Sequence, residues 1–305
     1  MNATAECAKG PLVWLDMDQK ELDDAYDQTV YAPNREMTYE KAIFNSNRVR
    51  ERLGEPKRFA YGPTAIEAVD VFPARQSNAP VHIYIHGGAW RQRKAAEYAY
   101  MAELFVRAGA HCVIPDFVGV ENCNGDLLTI ADQVMRSIAW VAKNADKFGG
   151  DANRIYISGQ SSGAQLGGVA VTTDWTKDFG LPKDVIKGAL LCSGMYDLKP
   201  VRLSKRSKFV TITDEAEEKL SAQRHLDRLA TPLMLVHGTH ETPEFKRQTR
   251  DFLSAVQKAG KPVQFLLAEG YNHFDLQEMA SNPYSVLGSA ALDMMELNSP
   301  DNRSW

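Results

Sequence analysis

Residues 154–168 read RIYISGQSSGAQLGG, and the predicted fold depends on this stretch. The first five residues form an apolar, β-branched run typical of a buried strand, and the small residues at the end fit a helix packed close to a sheet. Between them lies the sequence GQSSG, in which glycine stands two residues before and two residues after Ser161. A tight turn from strand to helix leaves no room for side chains at those two positions. The pattern therefore predicts a strand, a sharp turn with Ser161 at its tip, and a helix.

Short apolar runs recur along the chain from about residue 66, and helical patterns separate them. The runs are 67–72, 81–85, 111–117, 154–158, 188–193, 232–237 and 262–268. Amphipathic helix periodicity appears between them, for example over 127–141 and 245–256. Strands that alternate with single helices predict an α/β fold with a mostly parallel central sheet flanked by helices. In such sheets ligands bind beyond the carboxyl ends of the strands.

The first 60 residues differ from the rest of the chain. They are polar and helix-prone, with aromatic residues scattered among charges, and no Gly/Ser-rich linker follows them. We predict an N-terminal helical layer over residues 1–60, packed as a small cap on one main α/β unit over residues 61–305. The segment between Asp197 and Thr231 is short, so we expect no large lid from it and expect the N-terminal layer to roof the site.

Composition excludes several classes of partner. The net charge of -4 gives no basic field that would favour nucleic acid or an anionic membrane. We see no secretory signal pattern at the N-terminus and no run of the roughly 20 apolar residues that a membrane span needs. Four scattered cysteines fit neither a disulfide framework nor a zinc site. We expect a cytoplasmic protein without metal or cofactor, whose oligomeric state is open, a homodimer being one alternative.

Ser161 is the candidate nucleophile because it alone among the nearby serines has glycine on both sides of the turn. Ser158 lies within the predicted strand, and Ser162 would need small residues at Gln160 and Ala164. We expect Ser162 to contribute its backbone amide, with an incidental hydroxyl. The alternative is a Gly/Ser-rich loop without chemistry, since a bare G-x-S-x-G sequence is common by chance.

The strand at 81–85 runs into residues 86–90, which read HGGAW. Glycines let backbone amides turn toward a developing oxyanion, which is the main electrostatic need of acyl transfer. We assign the amides of Gly88, Ala89 and Ser162 as the candidate oxyanion hole. Trp90 and Gln160 border this region and are the candidate substrate contacts, although a tryptophan in this position more often packs than binds. The alternative is an ordinary Gly-Gly turn.

A serine nucleophile needs a histidine base, and the base needs an orienting acid. His273 follows the last apolar run in the sequence AEGYNHFD, where the base of this architecture belongs. Glu241, in the loop GTHETPEF after the preceding run, is the best-placed carboxylate. Glu244 is a further choice, although it lies where the next helix begins. Asp197, after the strand at 188–193, is the more serious rival for the role of acid.

Together these motifs resemble the α/β-hydrolase superfamily, and within its esterase–lipase group the arylformamidase (kynurenine formamidase-like) branch. The resemblance covers most of the chain, and its more diagnostic segments are SGMYDLKPV at 193–201 and ETPEF at 241–245. It implies the α/β-hydrolase fold for residues 61–305, a triad of Ser161, Glu241 and His273, and a structural role for the segment around Asp197. The family often has histidine in place of Gln160, tyrosine or a similar residue in place of Ala89, and aspartate as the acid.

The resemblance and the motifs together imply a serine hydrolase that cleaves an aryl amide or aryl formamide through an acyl-enzyme. Its partner is then a small aromatic amide or ester. The alternative is a carboxylesterase that acts on short-chain or aryl esters. An acyltransferase and a non-catalytic, ligand-binding homologue of a hydrolase are further alternatives, the last weakened by the presence of both serine and histidine.

Overall fold

The computed structural model describes residues 9–297, which form a mixed eight-stranded sheet covered by helices and a small two-stranded ribbon. The strands are β1 (Leu12–Trp14), β2 (Met17–Asp18), β3 (Lys57–Ala60), β4 (Ala68–Phe72), β5 (Ala79–Ile85), β6 (His111–Pro115), β7 (Gly150–Gln160), β8 (Ile186–Cys192), β9 (Leu233–His240) and β10 (Val263–Asn272). The helices are α1 (Gln19–Ala25), α2 (Arg35–Leu53), α3 (Ala102–Arg107), α4 (Leu127–Asn144), α5 (Ser162–Val171), α6 (Trp175–Phe179), α7 (Lys199–Leu203), α8 (Asp214–Leu220), α9 (Pro243–Lys258), α10 (Asp275–Ser281) and α11 (Val286–Met294).

The large sheet has the strand order β10-β9-β8-β7-β5-β6-β4-β3. Its strands are parallel except at the pairings of β4 with β6 and of β3 with β4. Each of the seven predicted runs lies on one of the strands β4 to β10, so the predicted α/β class is confirmed. Because β5 and β7 are neighbours, the loop after β5 and the turn after β7 leave the sheet side by side.

The core lies on both faces of the sheet, as the apolar composition of its central strands requires. Side chains alternate between faces along a strand. On β5, Val81, Ile83 and Ile85 pack in the cluster that contains α4 and α5, whereas Tyr84 packs in the cluster on the opposite face. Every residue of β5 is buried, and it is the loop after the strand, at Gly88 and Ala89, that borders a cavity.

The N-terminal layer comprises β1, β2, α1, the 3-10 turn Gln28–Tyr31 and α2. Helix α2 is mostly polar and packs through Ser46, whose hydroxyl donates to the carbonyl of Glu97 over 2.8 Å. Strand β3 lies at the end of the predicted cap, residues 1–60, and pairs with β4 as the edge strand of the main sheet. This strand is short and mostly exposed, so its sequence carries little strand signal. Residues 1–8 of the predicted cap and 298–305 of the predicted main unit lie outside the described residues.

Candidate active site

Ser161 lies at the sharp turn between β7 and α5, with φ 58° and ψ −123°. A non-glycine residue in such a conformation carries strain of about 1–3 kcal/mol, which surrounding contacts must hold. The flanking glycines are required: a Cβ at Gly159 would lie 2.5 Å from the carbonyl oxygen of Gly163, and one at Gly163 would lie 2.1 Å from that of Ile85. The amide of Ser161 donates to the carbonyl of Cys192 over 2.9 Å and so ties the turn to β8.

The loop after β5 is strained in the same way. Gly88, Ala89 and Trp90 have φ angles of 115°, 57° and 59°. Among the described residues, the amides of Gly88 and Ala89 donate to no acceptor, and both residues border the cavity beside Ser161. Ser162 is the first residue of α5, so its amide also lacks an intrahelical acceptor. Three amides that have no acceptor among the described residues thus lie around the Ser161 turn.

The hydroxyl of Ser162 is not incidental, contrary to the prediction from sequence. It accepts a hydrogen bond from the amide of Trp90 over 3.2 Å. Ser162 is 1% exposed. The contact joins the nucleophile turn to the loop after β5 and removes the Trp90 amide from the donors that face the cavity.

His273 and Glu241 form a buried pair at the carboxyl ends of β10 and β9. The two are joined through His273 Nδ1 and Glu241 Oε2, which lie 2.6 Å apart. Glu241 is fully buried and His273 is 4% exposed. The imidazole ring is further held by an edge contact with Phe245, with ring centroids 4.8 Å apart. The structure therefore brings together the predicted acid and the predicted base.

Both carboxylate oxygens of Glu241 accept hydrogen bonds. Oε1 accepts from the Ser193 hydroxyl over 2.5 Å and from the Gly238 amide over 2.7 Å. Oε2 accepts from Gln28 Nε2 over 3.1 Å in addition to its contact with His273. Burial opposes the charged form, yet the imidazole and the hydrogen bonds from Ser193 and Gly238 hold the pKa of Glu241 below the ordinary value of 4.5. The acid is therefore ionised at neutral pH.

The two rival carboxylates are engaged elsewhere. Asp197 Oδ1 accepts from the Lys199 amide over 3.1 Å and pairs with Arg224 over 3.2 Å. Glu244 pairs with Arg247 through both carboxylate oxygens and accepts from the Tyr26 hydroxyl over 2.9 Å. Neither carboxylate contacts His273 among the described hydrogen bonds, so the alternatives that the sequence left open find no support in the geometry.

The two predicted substrate contacts occupy different places. Gln160 borders the cavity, but its amide is engaged: Nε2 donates to the carbonyl of His273 over 2.9 Å and Oε1 accepts from Gln277 over 2.9 Å. Trp90 is 1% exposed and is not among the described residues that line the cavity. Its Nε1 donates to Gln165 over 3.0 Å. Gln160 is thus placed to position the His273 loop, and Trp90 packs behind the cavity wall.

A cavity of about 470 Å³ opens in front of Ser161. Its lining residues are Tyr26, Asp27, Gln28, Thr29, Arg35, Glu36, Tyr39, Gly88, Ala89, Arg91, Arg93, Tyr98, Gln160, Ser161, Arg206, His273, Phe274 and Gln277. The N-terminal layer supplies the first seven, so it forms part of the wall. The segment between Asp197 and Thr231, from which no large lid was expected, supplies Arg206.

Gln28 and Arg206 carry no direct signal in the sequence, because both lie in polar segments without a motif. Within residues 9–297, no three histidine, cysteine, aspartate or glutamate side chains cluster in a way that could hold a metal ion. In the same part of the chain, the helices are too short or too polar to cross a bilayer.

The chain is similar in sequence to one known family and to several known proteins. The BD-FAE family model matches residues 69–190, which contain the loop after β5 and the Ser161 turn. Kynurenine formamidase of Danio rerio is 28% identical over 297 residues, covering 92% of this chain and 98% of its own. Esterase LipC of Mycobacterium tuberculosis is 27% identical over 251 residues, covering 73% of this chain and 61% of its own.

Solved structures show the same fold at low sequence identity. The crystal structure of a putative thioesterase from Silicibacter sp. superposes with a TM-score of 0.76 at 18% identity. The match covers 88% of this chain and 98% of the other. The esterase of Pyrobaculum calidifontis has a TM-score of 0.70 at 16% identity and covers 92% of this chain and 97% of its own. The chain therefore has the α/β-hydrolase fold and is a hydrolase similar in sequence to kynurenine formamidases and esterases.

Proposed function

We propose that the protein is a serine hydrolase that cleaves aryl formamides or other N-acyl arylamines, with Ser161, His273 and Glu241 as its catalytic triad. The observation that carries the proposal is the buried 2.6 Å pair of Glu241 and His273, whose histidine borders the same cavity as Ser161 on its strained turn. The formamidase relative, aligned over nearly the whole chain, supports the amide substrate class. The reaction needs neither a nucleic-acid nor a membrane partner.

In the first half of the reaction, His273 acts as the base. Because its Nδ1 faces Glu241 Oε2, the proton on Nδ1 is fixed and Nε2 carries the free lone pair. Nε2 takes the proton of Ser161 as Oγ forms a bond to the substrate carbonyl carbon. The carbonyl oxygen becomes an oxyanion, for which the amides of Gly88, Ala89 and Ser162 are the proposed donors.

In the second half, the same histidine acts as an acid and then as a base again. His273 protonates the leaving nitrogen, the C–N bond breaks, and the arylamine departs from the acyl-enzyme. A water molecule then loses its proton to His273 and attacks the acyl carbon, which releases the carboxylic acid and restores Ser161. Glu241 stabilises the imidazolium in both halves, and its lowered pKa keeps it charged for this purpose.

A matched pair of substrates tests the proposal. Formanilide and phenyl formate share the formyl and phenyl groups and differ only in the leaving atom, nitrogen or oxygen. If both pass through one acyl-enzyme, added hydroxylamine should capture the formyl group in the same ratio to formate from either substrate. Cleavage of phenyl formate without any cleavage of formanilide would reject the amide assignment, and unequal ratios would reject the common acyl-enzyme.

A carboxylesterase is the second candidate function. Esterase LipC and the esterase of Pyrobaculum calidifontis favour it, and an ester needs less help from an acid because an alkoxide leaves more easily than an amine anion. The same experiment separates the two candidates. An acyltransferase would show itself by a high yield of captured acyl group at low nucleophile concentration.

Gln28 is proposed as a positioning residue through which the N-terminal layer supports the triad. Its Nε2 donates to Glu241 Oε2, and its Oε1 accepts from the Thr242 amide over 3.3 Å. We expect Gln28→Ala to lower kcat by about tenfold, because a hydrogen bond to a buried carboxylate is lost. KM should change little, since the change loosens the acid without removing a substrate contact.

The matched control for this prediction is Thr29→Ala in the same turn. Thr29 borders the cavity, but its hydroxyl bonds only Asp27 among the described residues. Steady-state kinetics of both variants should show a kcat effect confined to Gln28→Ala. An equal loss in both variants would mean that the turn acts only as a structural roof.

A further inference from the structure

Arg206 is a buried cation without an ionic partner at the wall of the cavity. It lies in the 3-10 turn Lys205–Lys208 and is 8% exposed. Its Nη2 donates to the carbonyl of Tyr26 over 3.1 Å. Its Nε and Nη1 are buried and have no hydrogen-bond partner among the described residues. No carboxylate within the described residues forms an ion pair with this guanidinium.

Three aromatic rings surround the guanidinium. Its carbon atom Cζ lies 5.6 Å from the ring centre of Phe245 and 5.9 Å from those of Tyr26 and Trp90. Phe245 contacts the imidazole of His273, and Trp90 follows the proposed oxyanion donor Ala89 directly in sequence. The cation is therefore held close to both the acid–base pair and the oxyanion loop.

No ion pair with a carboxylate of the described residues compensates the charge of Arg206. A buried charge is stable only when it is paired or hydrogen-bonded, and contacts with aromatic rings repay part of that cost. Burial lowers the pKa of Arg206 to about 10, so the guanidinium remains protonated at neutral pH. The nearby carboxylate of Asp27 is itself paired with Lys205 over 2.5 Å.

The other arginines that border the cavity have carboxylate partners. Arg91 pairs with Glu121 over 3.1 Å, and Arg93 pairs with Glu97 over 3.5 Å. Arg35 pairs with its neighbour in sequence, Glu36. Within the described lining, Arg206 is thus the arginine whose anion is missing, and it is also the most deeply buried of the four.

We propose that Arg206 binds a carboxylate of the substrate, so that the enzyme prefers aryl amides or esters that bear a carboxylate group on the aryl ring. The proposal deepens the proposed function and rests on it. A planar carboxylate matches the fork of a guanidinium in shape and charge. Because the guanidinium is itself buried, such a pair discriminates strongly against neutral analogues, which would leave the cation unpaired.

The alternative is that Arg206 only fastens the N-terminal layer through the Tyr26 carbonyl. A purely structural role would affect neutral and anionic ligands alike when the side chain is changed. Binding must therefore be measured for both kinds of ligand in the same variants, and independently of turnover.

Calorimetric binding to the inactive Ser161→Ala protein provides this measurement. The probes are 2-, 3- and 4-formamidobenzoate, their methyl esters, and formanilide. We expect at least one carboxylate isomer to bind about 10- to 100-fold more tightly than its methyl ester, as expected for a hydrogen-bonded charge pair. Adding Arg206→Met to the Ser161→Ala protein should abolish this preference. The Kd of formanilide should stay within about threefold of its value in Ser161→Ala alone, because methionine keeps an apolar stem between the rings.

The matched control is Arg91→Met, which removes an arginine that already has its partner and should keep the preference. Equal affinity for the carboxylates and their methyl esters would overturn the proposal in the Ser161→Ala protein alone, even if the Arg206 variant failed to fold. A preference that survives Arg206→Met would overturn it as well. Because no turnover is measured, these results are separate from whether the active enzyme cleaves amides or only esters.

Discussion

Replacing Ser161 with alanine is expected to lower kcat/KM by about 10³-fold or more, while the protein keeps its fold. The side chain is the proposed nucleophile, and without it no acyl-enzyme can form. Its removal creates little void, because the hydroxyl borders the cavity. Alanine also retains the Cβ that the turn already accommodates at φ 58°. Steady-state kinetics with formanilide and phenyl formate, together with thermal unfolding, checks both parts of the expectation.

Ser162→Ala is the control for the same experiment, because it removes a hydroxyl one residue away. The Ser162 hydroxyl accepts from the Trp90 amide, so its loss should loosen the oxyanion loop and lower kcat by about tenfold or less. The ordering of the two variants is the decisive result. A larger loss in Ser162→Ala than in Ser161→Ala would show that the nucleophile has been assigned to the wrong serine.

The nucleophile turn is the part of the site that the sequence specifies most completely. Its geometry is local: two glycines, one strand and one helix determine where Ser161 lies, and a Cβ at either glycine would collide with backbone. The same holds for the alternation of apolar runs and helices, which predicts a mostly parallel sheet. Local rules of this kind can be read from one chain without knowing what packs against it.

The parts that sequence reasoning missed depend on contacts between distant segments. Gln28 is 213 positions from Glu241, and Arg206 is 180 positions from Tyr26. Both lie in short 3-10 turns within polar stretches, where no periodicity or motif marks them. The sequence also does not reveal that the Ser162 hydroxyl accepts a hydrogen bond, because its partner Trp90 lies on a separate loop. Such pairings follow from the path of the chain in three dimensions.

The choice of Glu241 or Asp197 as the triad acid depends partly on local sequence and partly on contacts between distant segments. The order of strands and loops allowed either residue to serve as the acid. The hydrogen bonds favour Glu241, which contacts His273, while Asp197 is occupied by Arg224. This distinction leads to a prediction with an effect comparable to that of the nucleophile.

Glu241→Gln is expected to lower kcat by about 10³- to 10⁴-fold with little change in KM. The Gly238 amide donates at the Oε1 position, so the carbonyl oxygen of the new glutamine should remain there. The amide nitrogen then faces His273 and donates to Nδ1. The imidazole must then carry its proton on Nε2, and a protonated Nε2 can no longer accept the proton of Ser161. Pre-steady-state kinetics of acyl-enzyme formation measures the loss directly.

Two further variants make this result specific. Glu241→Asp keeps the charge but shortens the side chain by one methylene, so misplacement of the imidazole should cost about 10- to 100-fold. Asp197→Asn should keep kcat within about threefold, since it removes only a partly exposed ion pair with Arg224. If Asp197→Asn instead lost as much activity as Glu241→Gln, the contact between Glu241 and His273 would have to be structural. The acid that orients the base would then come from the loop after β8.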